Sequence, residues 1–143
     1  MNILKNLSSN YKIYASQLGS NSEQIKKLIN FSEINIPNDF LHLIRLLSEI
    51  EINVGEEKYI RIWGADGCIE MNEAYNIQKN IPLSLAIADD EGGNALLYTT
   101  GKKGFGLYII AFNDLDVDEL IYVSKSLNDL LVNNIGINII KNC

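Results

Sequence analysis

A chain of 143 residues with a single histidine, His42, and two remote cysteines, Cys68 and Cys143, has little from which to build an active site. No Ser-His-Asp, Cys-His or two-histidine arrangement can be assembled from one imidazole and two distant thiols. The cysteine spacing matches no zinc motif, and a pair with one member at the last position is no disulfide framework, so free thiols are expected. Long apolar runs are missing as well. The longest, Leu107 to Phe112, falls far short of the roughly 20 residues that a bilayer-crossing helix needs. Residues 1–7 lack the apolar stretch and small-residue cleavage site of a secretory leader, which makes a cytoplasmic protein the expectation. Although glycine recurs at Gly92, Gly93, Gly101, Gly104 and Gly106, no G-x-x-x-x-G-K-[ST] run is present, and these positions suit turns rather than a phosphate cradle.

What is there describes one domain, expected to span residues 1–143, with 47% hydrophobic and 21% charged residues. A chain of this size should bury roughly 68–70% of the surface it exposes when unfolded, which is core enough without a disulfide or structural metal. The net charge of −6 is unevenly spread: residues 49–119 carry 14 acids and 5 bases, against +2 for residues 1–48 and +1 for residues 120–143. An acidic middle argues against a nucleic-acid partner, which needs clustered Lys and Arg. It suits a basic protein partner drawn in by opposite potential, or simply a solvated surface.

Periodicity gives the elements. Residues 1–19 carry weak signals, with a short element possible at Tyr11–Leu18. Ser20-x-x-Glu23 has capping-box spacing before a helix whose inner face is Ile25, Leu28 and Ile29. Ile36-Pro37 opens a second helix, in which Phe40, Leu43, Ile44 and Leu47 recur at helical spacing. The period then turns to two. Ile50, Ile52 and Val54 alternate with polar residues, Gly55-Glu56-Glu57 makes a turn, and Tyr59 to Trp63 forms the next strand. A short helix fits Met71 to Gln78, before Pro82. Leu85 to Asp90 and Ala95 to Tyr98 flank Gly92-Gly93 as a hairpin. Phe105 to Phe112 and Leu120 to Val123 read as strands, and a last helix runs from Ser126 with Leu127, Leu130 and Leu131 inward until Gly136. Helices at both ends of a run of hairpin-linked strands imply an α+β fold with a mostly antiparallel central sheet.

Few residues offer chemistry. His42 shares a helix face with Asp39, Arg45 and Glu49, opposite the apolar stripe, and a solvated face accounts for it. Asp89-Asp90-Glu91 with Asn94 is the densest acidic cluster. Its spacing is not that of an EF-hand loop, and adjacent strand residues point to opposite faces, so a hairpin turn with solvated carboxylates explains it better than a cation or acid/base site. More informative is Tyr59-x-Arg61-x-Trp63, which places two aromatics and one of only two arginines on a single strand face. These residue types are enriched at binding hot spots. Against that, Trp63 suits a core position and Arg61 a pairing with a carboxylate such as Glu70. The candidate partner-binding set is thus Tyr59, Arg61, Trp63, Glu70, Asp89, Asp90, Glu91 and Asn94, with no catalytic residue, metal or cofactor expected.

The order of four segments resembles the SUKH superfamily, which includes the fungal Smi/Knr regulators of cell-wall synthesis and many bacterial immunity proteins. They are Ile36-Pro37-Asn38-Asp39-Phe40, Tyr59-Ile60-Arg61-Ile62-Trp63-Gly64, the run from Leu85 to Asn94, and the serine-capped close from Val123 to Leu131. The likeness runs from about residue 20 to about residue 136. It implies a non-enzymatic protein-binding domain, and among bacterial members one that neutralises a cognate toxin, often a nuclease, by stoichiometric contact. It carries over no catalytic residue. Two other readings stay open: a regulatory or scaffold module unrelated to toxins, and a small-ligand or cation-binding domain using the Asp89 to Asn94 turn. No nucleic acid or membrane is expected as a partner.

Overall fold

The computed structural model of the chain describes residues 2–143, so Met1 of the expected 1–143 domain lies outside the described residues. Seven strands, β1 (Tyr11–Leu18), β2 (Leu47–Val54), β3 (Lys58–Ile62), β4 (Ser84–Asp89), β5 (Asn94–Gly101), β6 (Gly104–Ala111) and β7 (Ile121–Ser124), form one sheet in that order. Every neighbouring pair is antiparallel. The fold is α+β, as the strand and helix periods imply. The helices are α1 (Ser22–Phe31), α2 (Asn38–Leu46), α3 (Ala65–Ala74), α4 (Ile77–Asn80), α5 (Leu127–Leu131) and α6 (Ile137–Lys141). Helix α2 packs on β2, α3 and α4 on β4, and α5 and α6 on β7.

The hairpin of β4 and β5 pairs Asp89 with Ala95 and Leu85 with Tyr98, with Gly93 at φ +97° in its turn. That conformation excludes most side chains and explains the glycine. Ile50, Ile52 and Val54 of β2 and Ile60 and Ile62 of β3 are buried, as are Phe40, Leu43 and Ile44 of α2 and Leu127, Leu130 and Leu131 of α5. Leu43 is 1% exposed, so Leu43→Ala is expected to lower the unfolding free energy by about 3 kcal/mol in urea titration.

Several boundaries differ from the sequence expectation, each for a local reason. Asn21, not Ser20, caps α1: its side chain accepts from Gln24 N–H at 2.9 Å, and Gln24 Oε1 accepts from Asn21 N–H at 2.8 Å. Ser20 instead accepts from Ala65 N–H at the start of α3. Ile25 and Leu28 face inward as expected, but Ile29 is 47% exposed. Pro37 is the residue before α2 rather than in its first turn, and Leu47 is the half-buried first residue of β2. The expected helix from Met71 to Gln78 starts earlier, at Ala65, and breaks at Asn76, whose φ of +51° separates α3 from α4. The last expected helix, from Ser126 to Gly136, ends early: α5 stops at Leu131 with Val132 as its cap, and Gly136 instead precedes a further helix, α6.

Asp39 is the largest departure. It is 5% exposed, not part of the solvated face that His42 and Arg45 do occupy. Nor does Glu49 belong to that face, since the helix ends at Leu46. The Asp39 carboxylate accepts from Tyr98 O–H at 3.1 Å, from its neighbour Phe40 N–H at 2.7 Å and from Asn128 N–H at 3.0 Å. The Tyr98 hydroxyl in turn accepts from Leu127 N–H, and Ser126 Oγ accepts from Asp129 N–H. The first three N–H groups of α5, which no helical carbonyl can reach, are therefore each met by a side chain. One carboxylate also sits against the N-terminal turns of two helices, where the backbone dipoles favour negative charge.

A second buried group ends a strand pairing. β3 joins β4 only through Arg61–Asp89 and Ile62–Ala88, with one further bond from Trp63 N–H to Ile87 O, before the chain leaves at Gly64. Asn72 of α3, with no exposed surface, takes over from there. Its amide donates to Ala86 O at 2.8 Å and accepts from Ala86 N–H at 3.0 Å, as a neighbouring strand would. It also donates to Cys68 O and accepts from Gln78, so the amide is fully used.

Candidate binding surface

The sheet is covered unevenly. Burial is continuous through Leu85–Ala88 of β4, Ala95–Thr99 of β5 and Leu107–Ile110 of β6, so both faces are covered there. In β2 only alternate residues, Ser48, Ile50, Ile52 and Val54, are buried, and the residues between them reach solvent. The bare part of the sheet is therefore one face of β1, β2 and β3.

Register lines up the side chains on it. Ala15 lies opposite Glu51, Glu51 opposite Arg61, and Arg61 opposite Asp89, which makes a cross-strand row over four strands. In the next row Asn53 faces Tyr59. Tyr14 meets Tyr59 edge-on with ring centroids 6.2 Å apart and donates its hydroxyl to Glu51. Tyr59 donates to Glu91, and that bond holds the phenol in its neutral form, pushing its pKa up to about 12.

Glu49 organises the end of this face. Between the Ala15–Glu51 and Gln17–Ser48 pairs, β2 spends two residues, Glu49 and Ile50, where β1 spends one, Ser16. At this bulge Glu49 adopts φ +45°, a region that costs a non-glycine residue on the order of 1 kcal/mol. The conformation carries its carboxylate to Arg61, at 3.2 Å, and to Gly64 N–H, at 2.7 Å, at the start of α3. A Cβ on Gly67 would come within 2.5 Å of that carboxylate, so the glycine leaves it room. Arg61 is therefore paired with Glu49 rather than Glu70, which is exposed on α3. The Arg61 side chain is 43% exposed, so the pair fixes geometry more than it stabilises.

The other candidate residues divide into structural and exposed groups. Trp63 is 2% exposed, and its indole N–H donates to Asp89 at 2.8 Å. Asp89 also accepts from Glu91 N–H. Asp90 accepts from Gly92 N–H, Asn94 N–H and the Asn94 amide, so its oxygens are spent on the turn. Tyr59, Arg61, Glu70 and Glu91 reach solvent. Among the described residues no three His, Cys, Asp or Glu side chains are grouped to hold a metal ion. Cys68 is buried beneath β4, where desolvation raises its pKa and keeps the thiol neutral. The sequence reading passed over Tyr14, Glu49 and Glu51. Acids at alternate positions beside Ile50 and Ile52 were the available signal for the two glutamates, whereas nothing in the sequence marks the bulge at Glu49.

Beside this face lies a groove of about 820 Å³ between the end of β1 and the start of α3. Gln17, Leu18, Glu49, Asp66 and Glu70 line it, and Leu18 is 91% exposed. Its charged lining is carboxylate, from Glu49, Asp66 and Glu70, and among the described residues no lysine or arginine contributes to it. Such a surface can hold cationic groups by attraction.

A family model described as the SMI1 / KNR4 family (SUKH-1) matches residues 19–133. No curated protein matches the chain. Among the described residues, no helix is long and apolar enough to cross a membrane.

Proposed function

The chain belongs to the SMI1 / KNR4 family (SUKH-1), and on that premise we propose that it is a non-catalytic protein-binding domain that neutralises a cognate toxin by stoichiometric contact. The observation that carries this reading is the bare face of β1 to β3, where Glu51 and Glu91 bond Tyr14 and Tyr59 and the one arginine is already paired with Glu49. Carboxylates there would match the basic groups with which a nuclease holds phosphate, and the tyrosine pair would anchor the contact. Binding over that face occludes the toxin, and no chemical step is required.

The test begins with capture of the partner from the native cell and its identification by mass spectrometry. The association rate is then expected to fall on the order of tenfold between about 10 mM and 150 mM salt, as the Debye length shrinks from about 30 Å to 8 Å. Charge reversal at Glu51, Glu70 or Glu91 should slow association, while Tyr14→Ala and Tyr59→Ala should mainly speed dissociation. Asp89 and Asp90 are poor positions for this test, because their oxygens hold Trp63 and the turn. An association rate indifferent to salt and to all three reversals would end the electrostatic reading. A captured partner that is not a toxin would keep the surface and replace the biological role.

A further inference from the structure

Strand β1 is an outer strand of the sheet, and its outer side is open. Among the described residues no backbone hydrogen bond outside the sheet engages Lys12 to Gln17, and Lys12, Tyr14, Ser16, Gln17 and Leu18 are exposed. Such an edge presents unpaired N–H and C=O groups and is usually blunted by short length, proline or several charges. At eight residues, β1 is as long as any strand in the sheet and has no proline and one lysine, near its start. The opposite edge, β7, has four residues and helices packed on it. A bulge at Tyr14 is the one irregularity that β1 itself contributes.

The groove lies at the end of this edge. A second hollow of about 220 Å³, lined by Ala15, Ser16, Glu49, Glu51 and Arg61 among others, adjoins it through Gln17 and Glu49. Together the two hollows are lined by Glu49, Glu51, Asp66 and Glu70 against Arg61 alone, which leaves a negative excess along β1.

We propose that an extended, basic segment of the partner protein adds to β1 as an eighth strand and places an arginine or lysine side chain in the groove between Asp66 and Glu70. This rests on the protein-binding reading above and names the contact within it. An extended segment fits because another strand pairs, in register, with a row of edge amides and carbonyls. A basic one is required because the groove supplies carboxylates without a free cation. The exposed Leu18 offers apolar surface to the aliphatic stem of such a side chain. A second copy of this chain fits poorly, since it would bring a net charge of −6 and the same carboxylates against their like.

The test uses the full chain, labelled for amide NMR, and synthetic nine-residue peptides of alternating arginine and valine at up to millimolar concentration. The arginine peptide should slow amide exchange across Tyr11–Leu18. Of two versions N-methylated on alternate residues in opposite phase, one should bind at least about tenfold more weakly and the other should not, because only one phase faces the edge. Asp66→Lys combined with Glu70→Lys should weaken the arginine peptide about tenfold, and a glutamate–valine peptide should not bind. Binding of the arginine peptide without protection of β1, or equal effects of the two methylation phases, overturns the added strand and leaves the acidic-face reading standing. Equal binding of arginine and glutamate peptides overturns the charge assignment as well. Absence of any binding overturns the strand addition, with the captured partner's salt dependence still deciding the broader reading. Concentration-dependent dimers that protect β1 without peptide would assign the edge to a second copy and likewise overturn it.

Discussion

Asp39→Ala is expected to lower the unfolding free energy by about 4 kcal/mol, more than most single truncations in the apolar core. The carboxylate is nearly buried and accepts hydrogen bonds from Tyr98, Phe40 and Asn128. Removing it leaves the buried Tyr98 hydroxyl and the partly buried Asn128 N–H of α5 short of an acceptor. Leaving buried donors unsatisfied costs roughly 1–3 kcal/mol each, more than the bond was worth when made. The favourable placement of a negative charge at two helix starts is lost with it. Tyr98→Phe should cost less, about 1–2 kcal/mol, because Asp39 keeps its two backbone donors while Leu127 N–H loses its acceptor. The two substitutions should be strongly coupled when combined, since they share one network. Urea unfolding followed through Trp63, the single tryptophan and a buried one, reads both. A loss below 1 kcal/mol for Asp39→Ala would show that the network contributes little.

Asn72→Ala should cost about 3–4 kcal/mol by the same measurement. The side chain is fully buried and stands in for a missing strand beside β4, so its loss takes this partner from the N–H of Ala86 and leaves its C=O only the weak Cys68 S–H donor. Gln78 loses its acceptor too, though its amide keeps a second one at Ser84 O. Asn72→Leu fills the space with apolar atoms of similar volume but restores none of the bonds, so it should recover only a minor part of the loss. If Asn72→Leu were as stable as the parent, the amide pairing would be incidental and packing would be the whole contribution. Amide exchange at Ala86 gives an independent check, because its protection should fall in both variants without a matching change in β7.

The elements that were legible in the sequence are those set by local period. Ile50, Ile52 and Val54 alternate because one face of β2 is buried and the other bare, and Phe40, Leu43 and Ile44 recur because one side of α2 meets the sheet. The turn at Gly93 was legible because a positive φ selects glycine. The errors arose where a residue's partner is distant in sequence. Asp39 has the spacing of a solvated helix residue, yet its partners are Tyr98 and Asn128. Arg61 could have paired with any nearby acid, and a bulge that turns Glu49 to φ +45° made the selection. Asn72 carries no sign in the sequence of its pairing with Ala86.

By itself the sequence determined the element types between Ser20 and Leu131, the antiparallel α+β architecture, the acidic middle and, through four ordered segments, a family. Those depend on periodicity, turn stereochemistry and charge count, which are properties of neighbouring residues or of simple sums. Tertiary structure alone decided which sheet face stays bare, that β1 is an open edge, which carboxylates Arg61, Trp63 and α5 use, and that Trp63 is withdrawn into the core while Tyr14 stands outside. Each of these depends on strand order, register and helix placement, where a shift of one residue in pairing exchanges the two faces of a strand.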